Sequence, residues 1–108
     1  MRRGEIYWYT FRTPDKRRPV LVLTRNSALS FLTSVTVAPL TSTIRDIPTE
    51  VVLTPDEDGV ATLCAVNLDN IQTISRHQLK ERITSLAPPR LREVDAALLF
   101  ALGVGDGA

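Results

Sequence analysis

The sequence contains few of the side chains on which common catalytic and structural sites depend. It has one cysteine, Cys64, and one histidine, His77. A lone cysteine excludes an internal disulfide and cannot supply half of a cysteine-based zinc site. A lone histidine excludes any mechanism that needs two imidazoles. We therefore expect Cys64 to be a small core residue and His77 to have a solvated or structural role.

Other signals are also absent. No apolar run approaches the ~20 residues that a membrane span needs. The arginines at positions 2 and 3 are followed directly by Gly4 and Glu5, without the apolar region of a signal peptide. No group of histidines, cysteines or carboxylates has metal-ligand spacing, and no glycine-rich loop precedes a helix. We therefore expect a cytoplasmic protein without a metal or other cofactor.

The charge is unevenly distributed along the chain. The net charge is +1, but residues 1–26 carry seven basic and two acidic side chains, whereas residues 46–70 carry six acidic side chains and no basic one. A basic segment that attracts phosphates is typical of nucleic-acid-binding proteins. Alternatively, folding interleaves the two segments and their charges cancel.

The hydrophobic pattern predicts a mostly β protein with a C-terminal α-helix. The 108 residues, 44% of them hydrophobic, suit one domain spanning 1–108. Many short strands with one helix are typical of a small, partly open β-barrel. Short apolar or alternating segments bounded by turn residues predict strands at 5–11, 19–23, 34–40, 50–53, 61–68, 71–74 and 82–86.

The segments 50–53 and 61–68 resemble the two arms of a β-hairpin. Asp58-Gly59 lies between them and predicts a tight turn. The acidic run 56–58 would then keep the tip of this hairpin soluble.

The predicted helix begins at Pro88-Pro89 and ends at Gly103. Its apolar residues, Leu102 among them, repeat with a period of about 3.6 residues. Leu99 and Phe100 extend the apolar surface well beyond one face. This width predicts that the helix packs on its own barrel and also on something else, such as a second copy of the chain.

Two polar segments lie at predicted strand ends. Arg17 and Arg18 come immediately before a buried strand, and Thr41 and Ser42 follow another. Side chains at strand ends can be aimed rigidly into a shared groove. The planar guanidinium of arginine donates parallel hydrogen bonds to phosphate oxygens, and a nearby hydroxyl can hold another oxygen. A basic turn beside a serine- and threonine-containing loop is equally compatible with an ordinary surface.

Five motifs, in order and at similar spacing, resemble those of the MazF/PemK toxins. Residues 3–8 resemble the RGxVxW opening of that family and residues 18–23 its RPVLVL strand. Residues 37–42 are similar to VAPLTS, 48–53 to P-x-E-V-x-L, and 68–73 to LDQIRT. The resemblance covers nearly the whole chain, because the terminal helix also lies where that of the family does.

The resemblance implies an SH3-like barrel of the MazF/CcdB kind that forms a homodimer. It implies an endoribonuclease in which the 2′-hydroxyl of the RNA attacks the adjacent phosphate without a metal. The products would be a 2′,3′-cyclic phosphate and a 5′-hydroxyl. It also implies a MazE-like antitoxin whose acidic C-terminal segment occupies the RNA groove.

The resemblance also implies roles for individual residues. Arg18 matches the catalytic arginine of the family and would stabilise the negative charge of the phosphorane. Thr41 matches the catalytic threonine and would orient the scissile phosphate. Further RNA contacts are expected from Lys16, Arg17, Ser42, Asp69, Asn70 and Gln72, with Asp69 and Asn70 in base recognition.

Two departures from the family pattern limit what the resemblance implies. The loop 13–17 is shorter than in many members, so the RNA sequence preference cannot be transferred. Gln72 replaces the usual arginine of LDQIRT, and Lys16 or Arg17 could take over the phosphate contact. No residue is an obvious general base, although Glu5 and Asp15 are the nearest acidic side chains in sequence.

Two other functions remain open at this level. The same barrel occurs in non-catalytic toxins that bind a protein target, such as gyrase poisons of the CcdB kind. A related barrel could also bind RNA without cutting it. The RPV and PLTS motifs argue against the first alternative, and the presence of both Arg18 and Thr41 argues against the second.

Overall fold

The computed structural model describes residues 1–10 and 17–105, in which a seven-stranded antiparallel sheet surrounds most of the core. The one-turn helix α1 (Pro55–Asp58) precedes the fifth strand, and the helix α2 (Pro88–Leu102) follows the last. The strands are β1 (Glu5–Thr10), β2 (Arg17–Val22), β3 (Ser34–Thr41), β4 (Glu50–Leu53), β5 (Cys64–Asn67), β6 (Gln72–Ser75) and β7 (Leu79–Ser85).

The strands pair in the order β4-β5-β3-β2-β1-β7, and β6 pairs with β3. β5 and β6 lie one after the other along the same edge of β3. The end of β3 pairs with β5, at Thr41↔Ala65 and Leu40↔Val66, and its earlier part pairs with β6, up to Val37↔Gln72. Within the described residues β4 and β7 remain unpaired with each other at the two ends of the sheet. The prediction of a mostly β, partly open barrel with a C-terminal helix is therefore confirmed.

β2 is buried on both faces, as its continuous apolar sequence predicts. Leu21 points into the main core, which lies between the sheet and α2, whereas Val20 and Val22 point into a second core on the other face. Full burial of one such side chain contributes about 1.5–3 kcal/mol. The main core includes Ile6, Leu21, Leu40, Leu53, Val66, Leu68 and Val94, and the second core Tyr9, Val20, Val22, Leu29, Val35, Val37 and Ile74.

The helix α2 matches its predicted bounds, since it begins at Pro88 and Gly103 ends it in the left-handed conformation, with a φ of +69°. Val94 and Ala97 are buried in the main core. Leu102 departs from the prediction that it shares the buried stripe, because its side chain is 57% exposed. It is the last residue of the helix and lies along an open groove beside Leu32 and Leu98.

The hairpin prediction was right that these two segments pair and wrong about the turn, and the second arm begins at Cys64 rather than at 61. β4 and β5 pair from Glu50↔Asn67 to Leu53↔Cys64. The segment between them starts with α1, whose first turn is capped by the hydroxyl of Thr54. Gly59 ends α1 with a φ of +75°, and a Cβ placed on Gly59 would lie 2.5 Å from Oγ1 of Thr84. Asp58-Gly59 is therefore a helix end packed against β7.

The acidic run 56–58 is only partly solvated, because Asp56 and Glu57 are exposed as predicted but Asp58 is only 7% exposed. Its carboxylate accepts two hydrogen bonds of 3.0 Å from the guanidinium of Arg90 in α2. Its Oδ2 atom also accepts the backbone N–H of Thr54 at 2.9 Å. The run therefore anchors α1 to the C-terminal helix.

The strand predicted at 82–86 begins earlier, at Leu79. The preceding turn, Arg76–Gln78, is closed by a capping box in which the side chains of Ser75 and Gln78 satisfy backbone N–H groups. This cap fixes the start of β7 directly after Gln78. His77, within the turn, is exposed, which agrees with its predicted solvated role.

Candidate active site

A pocket of about 460 Å³ opens where β2 begins and β3 ends. Arg17 and Arg18 lie at the start of β2, and Thr41 is the last residue of β3. The described residues that line the pocket combine guanidinium groups and hydroxyls with apolar walls: Trp8, Arg17, Arg18, Pro19, Leu40, Thr41, Ser42, Val60, Ala61, Thr62, Cys64 and Ile83.

Strand register explains why Arg18 and Thr41 meet at this pocket. Val20 pairs with Pro39 in antiparallel register. Arg18 lies two residues before Val20 and Thr41 two residues after Pro39, so the same register brings them opposite each other. Oγ1 of Thr41 accepts the backbone N–H of Thr43 at 3.1 Å. Because a hydroxyl is both acceptor and donor, this contact leaves its hydrogen able to donate to an anion in the pocket.

The two arginines keep their charge available to a ligand. In the parts of the chain that are described, the ion pairs involve other basic residues, Arg3, Arg82 and Arg90. The acidic segment pairs with Arg90 through Glu57 and Asp58 rather than with Arg17 or Arg18. The charges of the basic and acidic segments are therefore not cancelled at the pocket by any described ion pair.

Three other predicted RNA-binding residues do not line this pocket. Asp69 accepts a hydrogen bond of 2.6 Å from the hydroxyl of Thr49, and Asn70 follows it in the same exposed turn. Gln72 pairs with Val37, four positions before Thr41 in β3, which corresponds to about 13 Å along a strand. These residues lie farther along the edge of β3. Lys16 and Asp15 lie outside the described residues.

Ser42 and Cys64 both contribute to the pocket. Ser42 is exposed at its rim. Cys64 belongs to the main core, and burial raises the pKa of its thiol, with a smaller contribution from the carboxylate of Asp58. Cys64 therefore presents a protonated thiol to the pocket, as expected for a core residue rather than a nucleophile.

Glu5 does not belong to the site and instead anchors the start of β1. Burial alone would raise the pKa of its carboxyl, but hydrogen bonds from the Arg2 backbone N–H at 2.7 Å and the Tyr7 hydroxyl at 2.8 Å outweigh that effect. Together with Arg82 they hold the pKa of Glu5 below its ordinary value. Burial and the bond to Glu5 raise the pKa of Tyr7 to about 12.

The sequence interpretation did not assign a site role to Trp8 or to the wall formed by Val60, Ala61 and Thr62. Trp8 was interpreted as a strand residue and as part of the opening motif, although an aromatic side chain near a basic pair is a known RNA-binding signal. The wall comes from the segment after α1, whose path depends on the contact between Asp58 and Arg90. No local pattern signals that contact.

No group of three histidine, cysteine, aspartate or glutamate side chains that could hold a metal ion occurs within residues 1–10 and 17–105. Over the same residues, no helix is long and apolar enough to cross a membrane.

Known proteins resemble this chain over nearly its whole length. Residues 2–102 match the family described as the PemK-like, MazF-like toxin of type II toxin-antitoxin systems. A Mycobacterium tuberculosis protein named "Probable endoribonuclease MazF2" is 44% identical over 103 residues, which cover 95% of this chain and 99% of the relative. "Probable endoribonuclease MazF5" from the same species is 41% identical over 93% of this chain and 91% of the relative.

Solved structures show the same fold. The Mycobacterium tuberculosis toxin MazF-mt6 superposes with a TM-score of 0.84 at 35% identity, covering 94% of this chain and 98% of the toxin. A mycobacterial endoribonuclease in complex with its cognate antitoxin gives a TM-score of 0.88 at 28% identity, covering 97% of both chains. This chain belongs to the PemK/MazF family of toxins of type II toxin-antitoxin systems.

Proposed function

We propose that this protein is a sequence-specific endoribonuclease toxin that cuts single-stranded RNA without a metal ion and thereby inhibits translation and growth. The observation that carries the proposal is the pocket at which Arg18 and Thr41 meet. Both side chains are of the type that binds phosphate oxygens, and the described carboxylates do not neutralise Arg18. The relatives named as endoribonucleases match nearly the whole chain.

The proposed reaction is an in-line attack within the RNA. The 2′-oxygen loses its proton and bonds to the adjacent phosphorus, and the bond from phosphorus to the 5′-oxygen of the next nucleotide breaks. The products are a 2′,3′-cyclic phosphate and a 5′-hydroxyl, whose oxygen gains a proton. No redox change or co-reactant is needed.

Arg18 acts mainly as an electrostatic stabiliser in this mechanism. Charge accumulates on the phosphorane oxygens in the transition state, and a fixed guanidinium lowers its free energy more than that of the ground state. An arginine stays protonated, so Arg18 is not the general base. It can donate a proton towards the leaving 5′-oxygen in concert with water, while the hydroxyl of Thr41 holds a phosphate oxygen in line.

The remaining contacts follow the path of the RNA away from the pocket. Arg17 at the start of β2 and Ser42 just after the end of β3 bind flanking phosphates or sugars, and Lys16 supplies a further RNA contact. Asp69, Asn70 and Gln72 lie along the edge of β3, at a distance from the cut, where Asp69 and Asn70 contact bases and Gln72 supplies a further RNA contact. This separation gives the RNA an extended path along the barrel.

Two protein partners complete the proposal. The end of α2 leaves large apolar side chains exposed, including Leu99 and Phe100, and this surface supports a homodimer. A cognate antitoxin, of the kind that accompanies the mycobacterial endoribonuclease, would neutralise the toxin by placing an acidic segment across the basic pocket.

The proposal is tested by incubating the purified protein with total RNA in excess EDTA and mapping the new 5′ ends. We expect discrete cuts that leave 5′-hydroxyl groups. Removing one oxyanion-type contact costs about 10²–10³ in rate, so Arg18→Ala should reduce cleavage by that factor. Arg92→Ala removes a positive charge from an exposed position of α2 and serves as the control.

Three outcomes would contradict parts of the proposal. Loss of cleavage in EDTA that magnesium restores would exclude the metal-independent mechanism. A decrease of less than tenfold for Arg18→Ala would remove Arg18 from the catalytic role. Intact RNA from a protein that still arrests growth would favour a toxin that binds a protein target such as gyrase.

A further inference from the structure

Trp8 and Arg17 form a stacked pair at the mouth of the pocket. The guanidinium carbon of Arg17 lies 4.3 Å from the centroid of the indole ring. The register of β1 and β2 explains the contact: Trp8 pairs with Pro19 and Thr10 pairs with Arg17. The two side chains are therefore diagonal neighbours on one face of the sheet, within reach of long side chains.

The contact with the indole restricts an arginine side chain that would otherwise rotate freely. Trp8 is half-buried and Arg17 is exposed, so the indole provides the support and the guanidinium lies above it. Such a contact contributes about 0.5–1 kcal/mol at an exposed site. The indole covers the side of the guanidinium nearest to it, and Arg17 is otherwise exposed.

The walls beside this pair are poorly suited to a phosphate. Pro19, Val60 and Ile83 line the same pocket and offer no side-chain hydrogen-bond donor. The side chains that bind the phosphate in the proposed reaction are instead Arg18 and Thr41. The part of an RNA that best fits the apolar side is a flat nucleobase, which stacks readily on aromatic rings and on guanidinium planes.

We infer that Trp8 and Arg17 form a nucleobase-stacking platform, on which a base next to the scissile phosphate lies against the guanidinium face opposite the indole. The inference rests on the proposed function, since it places the base beside the phosphate held by Arg18 and Thr41. Arg17 then binds RNA through its plane as well as its charge, and Trp8 is a positioning residue that acts through Arg17.

This role has a kinetic signature. A stacked base is bound equally in the ground state and the transition state, so losing the platform raises KM and leaves kcat nearly unchanged. Loss of Arg18 lowers kcat instead. The two arginines, although adjacent in sequence, should therefore be separable by steady-state kinetics.

The binding test uses Trp8 itself, which is the only tryptophan of the chain. Its fluorescence is followed during titration with a 2′-O-methyl RNA oligonucleotide, which lacks the attacking hydroxyl, and with a base-free chain containing the same number of phosphates. We expect the base-containing chain to bind about tenfold more tightly and to change the fluorescence. Equal binding and equal fluorescence response of the two chains would overturn the inference.

Arg17→Lys removes the planar guanidinium but retains the positive charge, so it tests the two contributions separately. This variant keeps the positive charge and Trp8, so the base-free chain should bind within about twofold of its wild-type affinity. The tenfold advantage of bases should fall to about twofold, and KM for RNA should rise with little change in kcat. Arg92→Lys, the same substitution at an exposed position of α2, should change neither quantity. A base advantage that is undiminished in Arg17→Lys would refute the platform.

Trp8→Phe provides a second variant, because phenylalanine retains a smaller stacking face in β1. It should bind bases less tightly than the wild type and more tightly than Trp8→Leu, as measured with a fluorophore on the oligonucleotide. If the protein binds the base-containing chain more tightly but does not cut RNA, only the proposed function is contradicted. If the protein cuts RNA but Arg17→Lys leaves its preference for the base-containing chain unchanged, only this inference is contradicted.

Discussion

Replacing Arg90 by leucine should remove the charged partner of a buried carboxylate. Asp58 is 7% exposed and accepts two guanidinium hydrogen bonds of 3.0 Å. Removing one partner of a buried ion pair costs about 3–5 kcal/mol, because the other charge is left uncompensated. Asp58 keeps the backbone N–H of Thr54, and the Arg90 side chain is 17% exposed, so water can reach the pair. We therefore expect the lower end of this range, about 3 kcal/mol.

The assay is urea unfolding at a fixed protein concentration, because association would otherwise change the apparent stability. Arg92→Leu is the matched control, since Arg92 is exposed on the same helix, and its free energy of unfolding should change by no more than about 0.5 kcal/mol. The double variant Asp58→Asn/Arg90→Leu should be more stable than Arg90→Leu alone, because it leaves no buried charge. A loss below about 1 kcal/mol for Arg90→Leu, or a double variant that is no more stable, would refute the reasoning.

Three further predictions follow from other parts of the fold. The carboxyl pKa of Glu5 is lowered on folding, so the stability that the wild type has over Glu5→Gln should be fully present at pH 7. It should be lost as the pH falls from about 4.3, the ordinary pKa of glutamate, through the lower folded pKa, as measured by urea unfolding at several pH values. Gly59→Ala should lower the free energy of unfolding by about 1–3 kcal/mol, because the φ of Gly59 is +75° and the new Cβ would meet Thr84; a neutral result in thermal denaturation would contradict this. Phe100→Ser should weaken self-association in sedimentation experiments while leaving the fold intact by circular dichroism, and an unchanged dimer would show that another surface is used.

Much of the fold was predictable because the signals are local. The apolar run 19–23 predicts a strand buried on both faces, and the two cores on either side of β2 confirm it. Pro88 and Gly103 mark the ends of α2 through their own backbone preferences, which depend little on distant residues. Periodicity was less reliable at Leu102, since the last residue of a helix can extend past the sheet that it packs on.

The candidate site was predictable only in part. Arg18 and Thr41 were assigned by resemblance to family motifs, and strand register brings both to one pocket. Asp69 and Gln72 were assigned in the same way, yet they lie apart from that pocket. A motif states which residues occur together in a family. The distance between them depends on which strands pair and on where one edge of β3 changes partner from β6 to β5.

The sequence by itself determined the strands, the bounds of α2, the basic start of β2 and the family to which the chain belongs, because these depend on neighbouring residues and on motif order. Only the tertiary structure decided that Asp58 is buried against Arg90 and that Trp8 supports Arg17. Asp58 and its partner are 32 positions apart, and the environment of a charge depends on whatever the chain folds against it. A carboxylate in an exposed turn increases solubility, whereas the same carboxylate paired with a buried guanidinium holds two elements together.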